Sequence, residues 1–309
     1  MVHLSASVHI KYMDISLAMM KYCEDMTYFR DLSKETVRRH RSIIRQLITS
    51  QSLTTLDQTT SRNVRSFFFK GRTEAGWSPG TFRTYLATVK SFFNWCVRHE
   101  LLKKNPAQDI ERPKVSKKIP PKLTKQEAER ILEVAYNYPY PRGQSFYAAR
   151  NHAILSMFLH AGLRRQELLS LHIADANVEQ LTVHVRNGKG GKERFIPMTY
   201  ALAETLSRYL KLRRKHGKTC PELFTPLYKN TGLNPASLVD VLRTISDASG
   251  IPFRPHKLRH TFATLMLEGG CDIFTLSQLM GHSSIQTTTI YLAARTRHTR
   301  SQIRKHPLG

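Results

Sequence analysis

Arginine and histidine, two residue types that handle phosphate, recur in this sequence in short, separated clusters. In PHKLRHTFATLML (255–267), His256 and Arg259 stand three apart and would leave a helix from nearly the same side. Arginine offers a planar fork that neutralises two phosphate oxygens, and histidine can move a proton near neutral pH. The pair could equally be a satisfied core histidine beside a surface arginine. His256 and His260, four apart, have the spacing of two metal ligands, but the Glu of H-E-x-x-H and a third ligand are missing.

Three further stretches are chemically suggestive. In AGLRRQELLSL (161–171) a glycine precedes Leu163-Arg164, and Glu167 follows one turn on. An arginine among apolar neighbours needs a partner, which is either Glu167 in a structural ion pair or a substrate phosphate. The turn NGKGGKE (187–193) is not a Walker loop, because the G-x-x-x-x-G-K-[ST] spacing is absent and Glu193 follows Lys192. A flexible glycine hairpin could instead carry Lys189 into a groove, or leave it as a plain exposed lysine. In LMGHSSIQTTTIYLAA (279–294), His282 follows a glycine and Tyr291 stands among apolar residues, where a tyrosine by itself reads as core.

The elements that must position these residues are mostly helices. Val37, Ile44, Leu47 and Ile48 have helical spacing, and Arg38, Arg39, Arg41 and Arg45 fall largely off that stripe. A helix opening at Ser78-Pro79 carries Phe82, Tyr85, Leu86, Val89, Phe92, Phe93 and Cys96 on one side, with Arg83 and Lys90 elsewhere. Residues 12–100 therefore read as a small helical bundle with basic faces. Residues 102–122 hold four prolines and six lysines without an apolar period, and read as an extended linker. Thr124 and Glu127 form a capping-box pattern that opens the next helix. Leu181, Val183 and Val185 alternate with polar residues as a strand, 187–191 make the turn, and ERFIPM (193–198) returns as its partner. The expected fold is mainly α: an N-terminal helical domain (1–107), an extended basic linker (108–122), and a larger mostly α domain (123–309) with a small antiparallel sheet.

Composition narrows the function. With 40% hydrophobic and 9% aromatic residues in 309, the chain can bury a sizeable core. No apolar run is long enough to span a membrane, and the N-terminus has no signal-peptide pattern, so a cytoplasmic location is expected. Cys23, Cys96, Cys220 and Cys271 are far apart and form no C-x-x-C pair, which argues against disulfides and structural zinc. The formal charge of +25 is the strongest global signal. Such charge opposes compaction unless a polyanion neutralises it, and nucleic acid does so by releasing condensed counterions. Spread along the chain, the basic residues fit a membrane surface less well.

Arg164, Lys189, His256, Arg259, His282 and Tyr291 occur in the order and spacing of the tyrosine recombinase (phage integrase) family. GLRRQELLSL resembles its first arginine motif, GKGGKERFIPM its lysine hairpin, HKLRHTFAT its H-x-L-R-H box, and LMGHSSIQTTTIY its His-to-Tyr segment. The helical N-terminal region is similar to the family's SAM-like core-binding domain. The resemblance covers nearly the whole chain and looks closer to compact Xer-like members, without an extra arm-binding domain, than to larger phage integrases. Gln166 departs from the small residue common at that place.

The resemblance implies a site-specific DNA recombinase in which Tyr291 attacks the scissile phosphorus, leaving a 3′-phosphotyrosine and a free 5′-hydroxyl. Arg164 and Arg259 would hold the non-bridging oxygens, and Lys189 would protonate the 5′-oxygen. His256 would assist proton transfer, His282 would hydrogen-bond the phosphate, and Glu167 would buttress Arg164. Neighbouring cations would favour the Tyr291 phenolate. No cofactor and no metal are implied. The partners implied are double-stranded DNA with specific recombination sites and three further copies in a homotetramer, or a related recombinase. The basic tail, residues 295–309, would dock on a neighbouring protomer or fray. Arg38, Arg41 and Arg83 are candidate DNA contacts. A type IB topoisomerase, with similar chemistry on one duplex, and a silent DNA-binding regulator are the alternatives. Dimer resolution, integration and excision would all use the same residues.

Overall fold

The computed structural model describes residues 13–114, 121–186, 193–282, 284–289 and 291. Lys189, the turn around it and the tail after Tyr291 lie outside the described residues. The chain divides into two compact units, 1–116 and 117–309.

In the first unit, four helices are α1 (Ile15–Tyr28), α2 (Lys34–Ser50), α3 (Ser61–Thr73) and α4 (Pro79–Arg98). Each opens on a side-chain cap that accepts a backbone N–H of the first turn: Asp14, Ser33, Thr60 and Ser78, the last followed by Pro79. The apolar faces meet around Tyr22, Ile44, Leu47, Leu86, Phe92 and Phe93, all fully buried. Burial of Tyr22 is satisfied at its hydroxyl, 2.8 Å from His40 Nδ1 and 2.9 Å from Ser91 Oγ. Arg38, Arg39, Arg41 and Arg45 all lie exposed on α2, and Arg83 on α4. After α4 the chain stays with this unit as far as Ile110. Asn105 Nδ2 donates to Lys90 O (3.2 Å) and Asn94 Oδ1 (2.7 Å), and Ala107 is buried.

The second unit is built around α6 (Gln144–Ala161), which is buried along most of its circumference. Packed on it are α5 (Lys125–Asn137), α8 (Tyr200–Lys215) and α10 (Pro255–Glu268); α9 (Pro235–Ser249) covers α5. The capping box that opens α5 is present, with Thr124 N–H donating to Glu127 and Glu127 N–H to Thr124 Oγ1. A short helix α7 (Arg165–Ser170) leads to the sheet. Strands β1 (Ala176–Asn177), β2 (Thr182–Val185) and β3 (Arg194–Pro197) are antiparallel in that order, with Val183 opposite Ile196. Val183, Val185 and Ile196 face the core. Leu181, expected to begin the strand, instead turns the chain at φ 51°, and the two-residue β1 has no alternating pattern long enough to be read. Two more short helices, α11 (Ile273–Met280) and α12 (Gln286–Thr289), close the unit.

A separate small cluster of Phe262, Ala263, Leu267, Leu276, Met280 and Tyr291 joins α10, α11 and the segment after α12. On α10 Leu265 is only partly buried, while Leu267 is buried. Among the described residues no helix is long and apolar enough to cross a membrane, and no group of three potential ligands could hold a metal ion.

Candidate active site

The site begins where α6 ends. Gly162 takes φ 60°, a conformation glycine adopts at little cost, and a Cβ there would lie 2.2 Å from Phe262 Cδ1. The chain then extends through Leu163 to Arg164, which sits at the N-terminus of α7 rather than inside a helix. Glu167 folds back from the first turn of α7. Its carboxylate accepts from Arg164 N–H (2.7 Å) and from Arg164 Nη1 (2.6 Å). The Arg164–Glu167 pair expected from the sequence is therefore present, but Glu167 has two more partners. Arg194, at the start of β3, donates both terminal nitrogens to it at 3.0 and 2.9 Å. Arg259 Nη1 lies 3.7 Å from it.

Three guanidiniums thus converge on one carboxylate that is 2% exposed. Burial alone would raise the Glu167 pKa, but the hydrogen bonds and charges of Arg194 and Arg164 outweigh it and hold it at about 2.

The same arginines are fixed by a second feature, the carbonyl end of α11. Helix C-termini leave unpaired carbonyls that favour cations. Arg194 Nε donates to Leu279 O (2.8 Å), Arg259 Nη2 to Met280 O (2.6 Å), and Arg164 Nη2 to Gly281 O (2.9 Å). Arg259 Nη1 also donates to Gly162 O, which ties the end of α6 to the end of α11. Gly281, at φ 61°, ends α11 and lets Arg194 pass: a Cβ there would lie 2.9 Å from Arg194 Nη1. Burial and the neighbouring Arg164 bring the Arg259 pKa down to about 10, which leaves it charged at neutral pH.

His282 follows directly. Its Nε2 is 3.2 Å from Arg259 Nη2 and its Nδ1 is 2.7 Å from the hydroxyl of buried Thr288. Arginine can only donate, so Nε2 is the acceptor and Nδ1 carries the proton toward Thr288. Burial, then the charges of Arg259, Arg164 and Arg194, lower the ring's pKa to about 4.

Tyr291 is 4% exposed, and its hydroxyl lies 2.6 Å from His260 Nδ1. Burial raises the phenol's pKa, and Arg259 and Arg164 pull it the other way without cancelling the rise. The phenolate-favouring effect of the cations, expected from the sequence, is thus outweighed by desolvation. His256 is exposed one turn before His260. Both border a cavity of about 600 Å³ lined also by Pro252, Phe253, Arg254 and Lys257.

Arg164, Arg259, His282 and Tyr291 are therefore assembled around the junction of α10 and α11. His256 stands at its open edge, and Lys189 lies outside the described residues. Arg38, Arg41 and Arg83 belong to the other unit; each is exposed, and Arg38 donates to Glu35 at 2.8 Å. Sequence reasoning did not single out Arg194, and considered His260 only as a metal ligand. The signals available were small: Arg194 follows the lysine turn, and His260 directly follows Arg259.

A sequence profile of the Phage integrase family matches residues 121–298, and one of its N-terminal SAM-like domain matches residues 19–102. Over 251 residues the chain is 35% identical to tyrosine recombinase XerA of Pyrococcus horikoshii, covering 81% of each chain. It resembles the crystal structure of XerA recombinase with a TM-score of 0.52 and 26% identity, over 94% of this chain and 98% of that one. The fold also matches XerH site-specific recombinase bound to palindromic difH substrate, with a TM-score of 0.71 and 21% identity, over 93% and 84% of the two chains. With its family profile spanning the whole arginine–histidine–tyrosine site, the chain belongs to the phage integrase family: it is a tyrosine recombinase, an enzyme that cleaves and rejoins DNA.

Proposed function

We propose that this recombinase works through a covalent 3′-phosphotyrosine at Tyr291. The observation that carries the reading is the junction itself: two arginines and a histidine are held at the end of α11, with a buried tyrosine packed against the same helix pair. Attack of the Tyr291 oxygen on phosphorus forms the P–O bond to tyrosine and breaks the bond to the 5′-oxygen. The phosphodiester energy is kept for rejoining. Arg164 and Arg259 turn their remaining N–H groups to the non-bridging oxygens, where charge builds up in the transition state. His282 hydrogen-bonds the phosphate once its Nε2 exchanges Arg259 for a proton. Lys189 protonates the leaving 5′-oxygen, and His256, at the open edge, assists proton transfer.

Strand exchange needs four such sites, so the working assembly is a homotetramer on two DNA sites, or a mixed one with a related recombinase, acting in the cytoplasm. Arg38, Arg41 and Arg83 contact the DNA flanking the cleavage point.

The test is capture. Sequencing the DNA that the protein holds covalently identifies the site, and a nicked duplex carrying that site then traps the adduct. Wild type should give a Tyr291-linked 3′-phosphate, and Tyr291→Phe none. Unchanged trapping by Tyr291→Phe would remove the reading. Relaxation of supercoiled plasmid without sequence preference would point to a topoisomerase instead.

A further inference from the structure

We infer that His260 is a catalytic residue that takes the proton from Tyr291 as its oxygen attacks phosphorus, and returns it when the strand is rejoined. The inference rests on Tyr291 being the nucleophile and adds the base that such a nucleophile needs here.

The geometry comes first. The hydroxyl of Tyr291 lies 2.6 Å from His260 Nδ1, within the reach required of a general base. The two rings stand 5.4 Å apart at 54°, so the contact is edge-on through the hydroxyl rather than a ring stack. His260 leaves α10 from the position after Arg259, and Arg259 is tied to the ends of α6 and α11. The base is therefore fixed on the same rigid helix as one of the phosphate-binding arginines. Tyr291 itself is 4% exposed, whereas the His260 ring is half-buried and borders the cavity that His256, Arg254 and Lys257 also line. A proton handed to His260 thus has a path to solvent that the phenol lacks.

The electrostatics agree. Burial raises the pKa of Tyr291 despite Arg259 and Arg164, so the phenol keeps its proton at neutral pH. Burial, with the nearby His256 and Arg259, lowers the pKa of His260, so the ring is neutral and can accept. The charged and titratable groups around the pair are His256 and Arg259 on α10, Arg164 from the start of α7, and Arg254 and Lys257 at the cavity. The hydrogen bond of the Tyr291 hydroxyl is to His260 Nδ1.

The step balances without another reactant. In cleavage the phenolic proton passes to His260 Nδ1, the tyrosine oxygen bonds to phosphorus, and the 5′-oxygen leaves with a proton from the general acid. In rejoining the 5′-hydroxyl attacks phosphorus, the tyrosine oxygen leaves, and the imidazolium gives its proton back.

The test is single-turnover covalent trapping on the nicked cognate duplex, followed across pH. His260→Asn keeps a hydrogen-bonding group near the hydroxyl but cannot carry a proton. It should bind DNA as wild type does, and cleave about 10²–10⁴-fold more slowly at neutral pH. Its rate should continue to climb with pH where that of wild type levels off. Placing an acidic fluorinated tyrosine at position 291 should restore much of the lost rate in His260→Asn and change wild type little. Cleavage by His260→Asn at the wild-type rate overturns the inference. So does a fluorotyrosine effect of equal size in both proteins, which would leave His260 only a positioning role. Should His260→Asn not fold, the acid limb of the wild-type pH profile decides. It stays in place on fluorination if His260 titrates, and moves with the phenol if Tyr291 loses its proton to water. Trapping by Tyr291→Phe would defeat the nucleophile assignment itself. Silence of Tyr291→Phe beside a fully active His260→Asn would defeat the base alone.

Discussion

Arg194 and Glu167 meet fork to fork, with both terminal nitrogens of the guanidinium 2.9–3.0 Å from the two carboxylate oxygens. They come from β3 and α7, 27 residues apart in sequence, and both side chains are almost fully buried. The pair makes Arg194 a structural counterpart to Arg164 and Arg259. It spends its fork on the carboxylate that all three share, while its Nε holds the last turn of α11.

Substituting Arg194 by lysine keeps the charge and loses the fork. A misplacement of about 1 Å can cost on the order of 10²-fold in rate, and Arg194→Lys should slow covalent trapping by about that factor. The salt dependence of DNA binding should not change, because Arg194 faces Glu167 rather than solvent. Cleavage at the wild-type rate would show that the carboxylate holds the other two arginines without it.

Removing the carboxylate should be worse. Glu167→Gln leaves three neighbouring guanidiniums short of a counter-charge in a buried place, and breaking such a pair costs about 3–5 kcal/mol. A thermal melt should show a correspondingly lower transition.

The pH dependence follows from the same residue. The folded pKa of Glu167, about 2, lies below its ordinary value of 4.5. The unfolded chain therefore binds the proton first as pH falls. Its contribution to stability is complete above about pH 4.5 and is lost toward pH 2. Comparing denaturant midpoints of wild type and Glu167→Gln through that window should show the gap between them narrowing with acid. A constant gap would contradict the depressed pKa.

Gly162 should not tolerate alanine. Its φ of 60° and the Phe262 ring 2.2 Å from a would-be Cβ act together, and such overpacking costs about 1–3 kcal/mol. Because Gly162 O accepts from Arg259, Gly162→Ala should lower both the melting temperature and the cleavage rate.

Arg38→Ala, Arg41→Ala and Arg83→Ala test the exposed basic faces of α2 and α4. Each phosphate contact removed should lower the slope of log affinity against log salt by about 1, uniformly across DNA sequences. An anisotropy titration at several salt concentrations reads this directly. A variant with unchanged slope identifies an arginine that faces only solvent or, for Arg38, Glu35.

Much of this was legible in the chain. The capping signals at Ser78-Pro79 and Thr124 with Glu127 are local, and the helices begin there. The Arg164–Glu167 pair is three residues apart, within one turn. Arg194 was not legible, because its partners on α7 and α11 are distant in sequence and its neighbours in ERFIPM read only as a strand. The His260–Tyr291 contact spans 31 residues, and histidine spacing suggested a metal pair before it suggested a phenol. Leu181 fits the alternation of β2, yet the backbone turns at it, because a period of two cannot show where pairing starts.

The end of α11 has one more consequence. Arg194, Arg259 and Arg164 bind carbonyls of residues 279, 280 and 281, and a carbonyl is the same whichever side chain it belongs to. The exposed side chains of α11 can therefore change without removing the three contacts. The helix cannot change in length, since losing one residue would rotate every acceptor by about 100° around the helix axis. For this helix, insertions and deletions are the forbidden mutations, and substitutions at its exposed positions, away from Gly281 and the buried Leu276 and Met280, the permitted ones.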